Sequence, residues 1–196
     1  MIKFVLLFLS VLLANGCTEN KLKWQGYCLP LDKLTPASLA DTPNKDENYD
    51  SATNYGPSLF FSGENVTKEI ATFKAFTSDL SSGKYRYNVQ VNLSKTSIEK
   101  SPKTIQSLVK SDLEEIYFDM QSKYHWDAYK KGDETYEFWG SCMLDGSGKS
   151  KEGYSCLRQL KVEKIVLNFN LDYVNLNSHK DIDSFLTNKL INWNCN

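Results

Sequence analysis

Hydrophobic and polar positions follow several distinct rhythms along the chain. Residues 4–14 form an almost unbroken apolar run, Phe4 to Ala14, with no polar face. The clearest strand signal is at 85–94, where Tyr85, Tyr87, Val89, Val91 and Leu93 alternate with Arg86, Asn88, Gln90, Asn92 and Ser94. A period of two places one set against a core and the other in water. The same alternation recurs in Ile165, Leu167, Phe169, Leu171 and Tyr173. Segments 134–144 and 154–174 flank Asp145–Gly153, whose three glycines suit a tight turn, so they read as the arms of a hairpin.

Helical spacing appears three times. Ile70, Phe73, Phe76 and Leu80 predict a helix over 67–80, although Thr67, Thr72 and Thr77 also suit a strand. Ser101-Pro102 reads as a helix start, followed by a stripe of Ile105, Leu108, Val109, Leu113, Ile116, Tyr117 and Met120. Ser178 caps a last predicted helix, with Asp181 three residues on and Ile182, Phe185, Leu186 and Leu190 inward. A short strand is expected at 58–61. Residues 17–57 hold four of the five prolines, Pro30, Pro36, Pro43 and Pro57, and read as an irregular tether and surface loop. The expected fold class is α+β: one domain over 58–196, with a mainly antiparallel sheet packed against two or three helices.

The apolar run, with Lys3 before it and small residues after, has the anatomy of a secretory signal over 1–16. Its 11 residues fall short of the ~20 that a membrane-spanning helix needs. Leu13-Ala14-Asn15-Gly16-Cys17 resembles the lipobox of bacterial lipoproteins. That resemblance covers the signal alone. It implies cleavage before Cys17, a diacylglycerol on its sulfur and a membrane anchor. Thr18, rather than Asp, implies transfer to the outer membrane in enteric-type bacteria, facing the periplasm. Ordinary cleavage after Ala14-Asn15-Gly16 would instead leave a secreted protein.

The cysteine count bears on this choice. Five cysteines (17, 28, 142, 156 and 195) leave one over in an exported chain, and acylating Cys17 resolves it. Cys142 and Cys156 flank the glycine-rich turn and are expected to pair, which leaves Cys28–Cys195 to join the two ends of the domain. There is no CxxC spacing, and just two histidines accompany the cysteines, so no zinc site or other cofactor is expected.

Charge narrows the function classes. Removing Lys3 with the signal leaves 22 cationic against 24 acidic residues, with no basic footprint for nucleic acid. Gly148-Lys149-Ser150 lacks the earlier glycine of a phosphate-binding loop. Asp46, Asn48 and Asp50 open like a calcium loop, but Ser51 and Pro57 stand where Gly and Glu belong. His125 and His179 lie in no nucleophile motif, and Asp112, Glu114 and Glu115 read as a solvated face. No catalytic residue is assigned.

One cluster suggests binding. Tyr124, Trp126, Tyr129, Tyr136 and Trp139 fall within 16 residues, and Tyr and Trp dominate protein-binding hot spots. Most are expected to fill the core, with the Trp126–Glu134 connection exposed. The leading expectation is a lipoprotein that binds another protein, a toxin or an envelope component, with an immunity protein as the specific form. Envelope maintenance, ligand binding and an enzyme whose residues meet only in space are alternatives. So is a secreted eukaryotic glycoprotein modified at Asn65-Val-Thr67 or Asn92-Leu-Ser94.

Overall fold

The computed structural model describes residues 20–40, 54–80, 83–144 and 153–195. In chain order the elements are β1 (Lys21–Trp24), β2 (Tyr27–Pro30), α1 (Pro36–Ala40), β3 (Tyr55–Phe61), α2 (Gly63–Val66), β4 (Phe76–Leu80), β5 (Gly83–Arg86) and β6 (Val89–Ser94). They continue with β7 (Val109–Lys110), β8 (Ile116–Asp119), β9 (His125–Lys131), β10 (Tyr136–Leu144), β11 (Tyr154–Val162), β12 (Ile165–Asp172) and α3 (His179–Asn192). Eight strands form one sheet in the order β3-β6-β12-β11-β10-β9-β8-β7, while β1-β2 and β4-β5 are separate two-stranded ribbons. Every pairing is antiparallel.

The expected antiparallel sheet is present, but the fold is richer in strand than the sequence pattern suggests. Among the described residues α3 is the one helix of several turns; α1 and α2 span 5 and 4 residues. The helix expected over 67–80 is absent. α2 ends at Val66, and after a turn the chain enters β4, where the β-branched Thr77 favours extension. The helix expected from Ser101 is absent as well. A single 3₁₀ turn, Ile105–Ser107, precedes β7 and β8. Here Ser111 competes with helical bonding: its hydroxyl donates to the Ile116 carbonyl (2.8 Å) and accepts from Leu113 N–H (3.0 Å). Glu115 at φ 63° turns the chain out of any helix.

Two further boundaries move. The alternation at 85–94 divides at Tyr87-Asn88, so β5 pairs with β4 and β6 joins the large sheet. The arm at 154–174 folds back at Glu163-Lys164 into β11 and β12. Residues 20–40, expected to be irregular, hold a tight hairpin. Its turn uses positive φ at Gln25 (51°) and Gly26 (87°), a pair of dihedrals that follows the twist of the strands. Leu22, Trp24, Tyr27 and Leu29 of this hairpin are buried in the main core. Gly56 in β3 leaves room for the Trp24 ring, which a side chain there would strike.

The hairpin and α3 cover one face of the sheet. Phe61 meets Phe185 edge-on at 5.2 Å, and Leu93, Leu167, Phe169 and Cys156 join the same cluster. Both disulfides belong to this side, Cys142–Cys156 between opposed positions of β10 and β11, and Cys28–Cys195 between β2 and the end of the chain. No helix among the described residues is long and apolar enough to cross a membrane.

Candidate functional site: an open groove on the polar face of the sheet

The opposite face of the sheet divides into two parts. Toward β9 and β10 it is crossed by residues 95–104, ahead of β7. The organising group there is Asp127, 1% exposed on β9. It accepts hydrogen bonds from Gln121 Nε2 (2.8 Å) and Ser141 Oγ (2.9 Å), and it is paired with the Lys100 ammonium. Lys100 also lies over the Phe138 ring at 5.1 Å. A buried carboxylate satisfied on this many sides holds the covering segment in place. Nearby, Lys103 and Asp119 pair at 3.0 Å.

Toward β3, β6, β12 and β11 the same face is open. The ribbon β4–β5 flanks it, and between ribbon and sheet lies a groove of about 350 Å³. The floor carries Gln90, Asn92, Leu157, Asn170 and Asp172. Tyr85, Arg86, Tyr87 and Asn88 form the ribbon side, and Phe60 stands at the edge. Strand alternation sets this composition: Gln90 and Asn92 leave β6 on the side opposite Val89, Val91 and Leu93, as Asn170 leaves β12 opposite Phe169. Asn92 Oδ1 accepts from Ser58 Oγ (2.7 Å), and Asn88 Oδ1 from Gly63 N–H (3.0 Å), which leaves both amide nitrogens as donors. Phe60, Tyr85 and Leu157 are 40%, 51% and 38% exposed. Tyr85 and Tyr87 stack at a tilt, centroids 4.8 Å apart. The groove thus offers amide donors, phenol rings and a guanidinium, chemistry suited to recognising a polar surface with apolar anchors.

The aromatic cluster of the sequence disperses. Tyr124 is exposed and Tyr136 is half-buried against Tyr117, centroids 4.7 Å apart. Trp126, Tyr129 and Trp139 are buried in β9 and β10. The connection beginning at Trp126 is therefore not the exposed part: residues 126–129 form a buried strand, and exposure starts at Lys130. A bulge between Phe138 and Gly140 turns Trp139 toward α3, where it meets His179 edge-on (5.6 Å) and Arg158 (5.0 Å). Arg158, also buried, donates to Asp183 and to the Trp139 carbonyl.

The two histidines separate. His125 is exposed, whereas His179 is 3% exposed. A backbone carbonyl can only accept, so His179 Nδ1 carries the proton donated to Leu176 O (2.9 Å), and buried Nε2 has no partner among the described residues. Burial pushes the pKa of this imidazole below its ordinary value. Tyr27, buried and donating to Glu163, has its phenol pushed up to about 12. Among the described residues no group of His, Cys, Asp and Glu is arranged to hold a metal. Cys17, the glycine-rich tip at 145–152 and Asp46, Asn48 and Asp50 lie outside the described residues.

Comparison with known proteins assigns no family: no family model, curated protein or solved structure matches this chain. Gln90, Asn92, Asn170 and Asp172 were visible in the sequence as polar alternates of their strands, whereas Tyr85, expected to face the core, is exposed at the groove. What the sequence did not show is that β4 and β5 leave the sheet and wall them in.

Proposed function

We propose that this chain is an exported envelope lipoprotein, anchored through an acylated Cys17, that works by binding another protein in the groove on the open sheet face. The observation that carries this reading is the unequal treatment of the two faces. One is closed by the hairpin, α3 and two disulfides, while the other keeps aromatic and amide side chains accessible beside an arginine. Tyrosine and arginine are the residue types that carry most binding energy at protein interfaces. The profile of a small, exported, disulfide-bonded domain supports an immunity protein as the specific form, with a periplasm-acting toxin as partner.

Two experiments test this. Deleting the gene and challenging the strain with toxin-delivering kin should lower survival; unchanged survival contradicts the immunity role. Capture from envelope extracts with wild-type protein and with Tyr85→Ala/Asn170→Ala should recover a partner in the first case alone. Equal recovery would move the binding surface elsewhere. The groove's volume also falls in the range of small-ligand pockets, which supports a ligand-binding lipoprotein as the second reading.

A further inference from the structure

If Cys17 is the acylated residue, as proposed above, the link from lipid to folded domain is very short. Thr18 and Glu19 alone separate it from Asn20, whose carbonyl already accepts from Leu31 N–H at 2.9 Å. Three Cα–Cα steps reach at most about 11 Å. Residues 20–40, read from sequence as part of a tether, belong to the folded body instead. A long spacer is therefore not what joins anchor and domain.

We infer that the domain is seated directly on the headgroup surface of its own membrane, with the outward side of the β1–β2 hairpin facing the lipid and the groove facing away. The placement of the elements supplies the direction. The hairpin packs with α3 on the core face of the sheet, and Cys28 N–H donates to the Trp193 carbonyl. The groove opens on the other face. An anchor entering at Asn20 thus brings the covered side to the bilayer and leaves the open side toward the aqueous space.

Charge on the hairpin agrees with an anionic phospholipid surface. Lys21 points outward from β1, since Leu22 and Trp24 take the inward positions. The Lys164 ammonium lies against Gly26 at the hairpin turn. Of the nearby acids, Asp32 is paired with Lys33 and Glu163 accepts from Tyr27. Attraction of a lysine to anionic headgroups falls off over about 8 Å at physiological salt, a distance comparable with the full reach of the link, so Lys21 stays close to the surface where that attraction acts.

Lysine acetylation read by peptide mass spectrometry tests the seating. The full lipoprotein is reconstituted in vesicles of phosphatidylethanolamine and phosphatidylglycerol. It is compared on the same vesicles with a variant carrying a Gly/Ser spacer of about 20 residues between Glu19 and Asn20, which spans about 25 Å. The expected result is several-fold slower labelling of Lys21 and Lys164 in the native-length protein. Lys110 and Lys130, toward the far edge of the sheet, should label equally in both. Equal labelling of Lys21 and Lys164 in the two proteins, with Cys17 acylated in both, overturns the seating while leaving the anchor intact. An unmodified Cys17 in the N-terminal peptide overturns the anchor reading, and the seating with it.

Discussion

Among the described residues, each face of the eight-stranded sheet buries one charged side chain, Arg158 on one and Asp127 on the other, and the surroundings of the two differ. On the covered face Arg158 sits among Trp139, His179 and Asp183 beneath α3, within a core closed by two disulfides. On the other face Asp127 gathers Lys100, Gln121 and Ser141 and fixes a covering segment of little regular structure. The first charge joins elements that already pack through apolar area. The second fastens a segment whose Ile98 and Ile105 remain exposed. Polar pairing substitutes for apolar burial there, and beyond its reach the sheet stays open as the groove.

The largest effect should come from releasing the covered face. Replacing Cys28 and Cys195 by serine opens a link spanning 167 residues and should cost about 5 kcal/mol, against about 3 kcal/mol for Cys142 and Cys156, which are 14 apart. Denaturant unfolding of the two double variants gives this order directly; a reversed order would mean that the termini contribute little to closing the core.

On the other face, Lys100→Met should destabilise by about 3 kcal/mol, because it leaves a buried carboxylate without its cation. Adding Asp127→Leu should restore much of that loss. If both variants unfold like wild type, Asp127 is not what fastens the segment.

Acid should weaken the covered face through His179. Its folded pKa lies below the unfolded value, so the unfolded chain binds more protons as pH falls through about 6.5, and stability is lost in that direction. His179→Gln should unfold with a smaller dependence on pH between neutrality and mild acid. Parallel pH profiles for the two proteins would show that this imidazole is not buried neutral. The smallest stability effects belong to the groove: Tyr85→Ala and Asn170→Ala should each stay within about 0.5 kcal/mol of wild type.

Different parts of this architecture were legible to different degrees. The β12 alternation and the stripe Ile182, Phe185, Leu186 and Leu190 in α3 could be read directly, because each element has one buried and one wet face. The cysteines were also legible, since Cys142 and Cys156 flank a glycine-rich sequence and stand opposite each other in β10 and β11. The stretch 101–120 was not. Its apolar residues match a helical stripe, yet Ser111 and the left-handed Glu115 decide the backbone through local hydrogen bonds and dihedrals, and just Leu113 and Ile116 of that stripe are buried. The hairpin at 21–30 was hidden because its strands are too short to display a period. That most of the aromatic cluster fills the core was legible, but the burial of the stretch from Trp126 was not, for a tertiary reason: Trp126, Tyr129 and Trp139 lie in strands whose two sides are both covered, by α3 on one and by the segment carrying Lys100 on the other.

The division of labour between the faces is tested most directly by one variant, Tyr85→Ser/Leu157→Ser/Asn170→Ala, measured for unfolding free energy and for partner capture from envelope extracts. The expected result is stability within about 1 kcal/mol of wild type, together with loss of the captured partner. A loss of several kcal/mol would show that the groove is a packing surface, and undiminished capture would show that it is not where the partner binds.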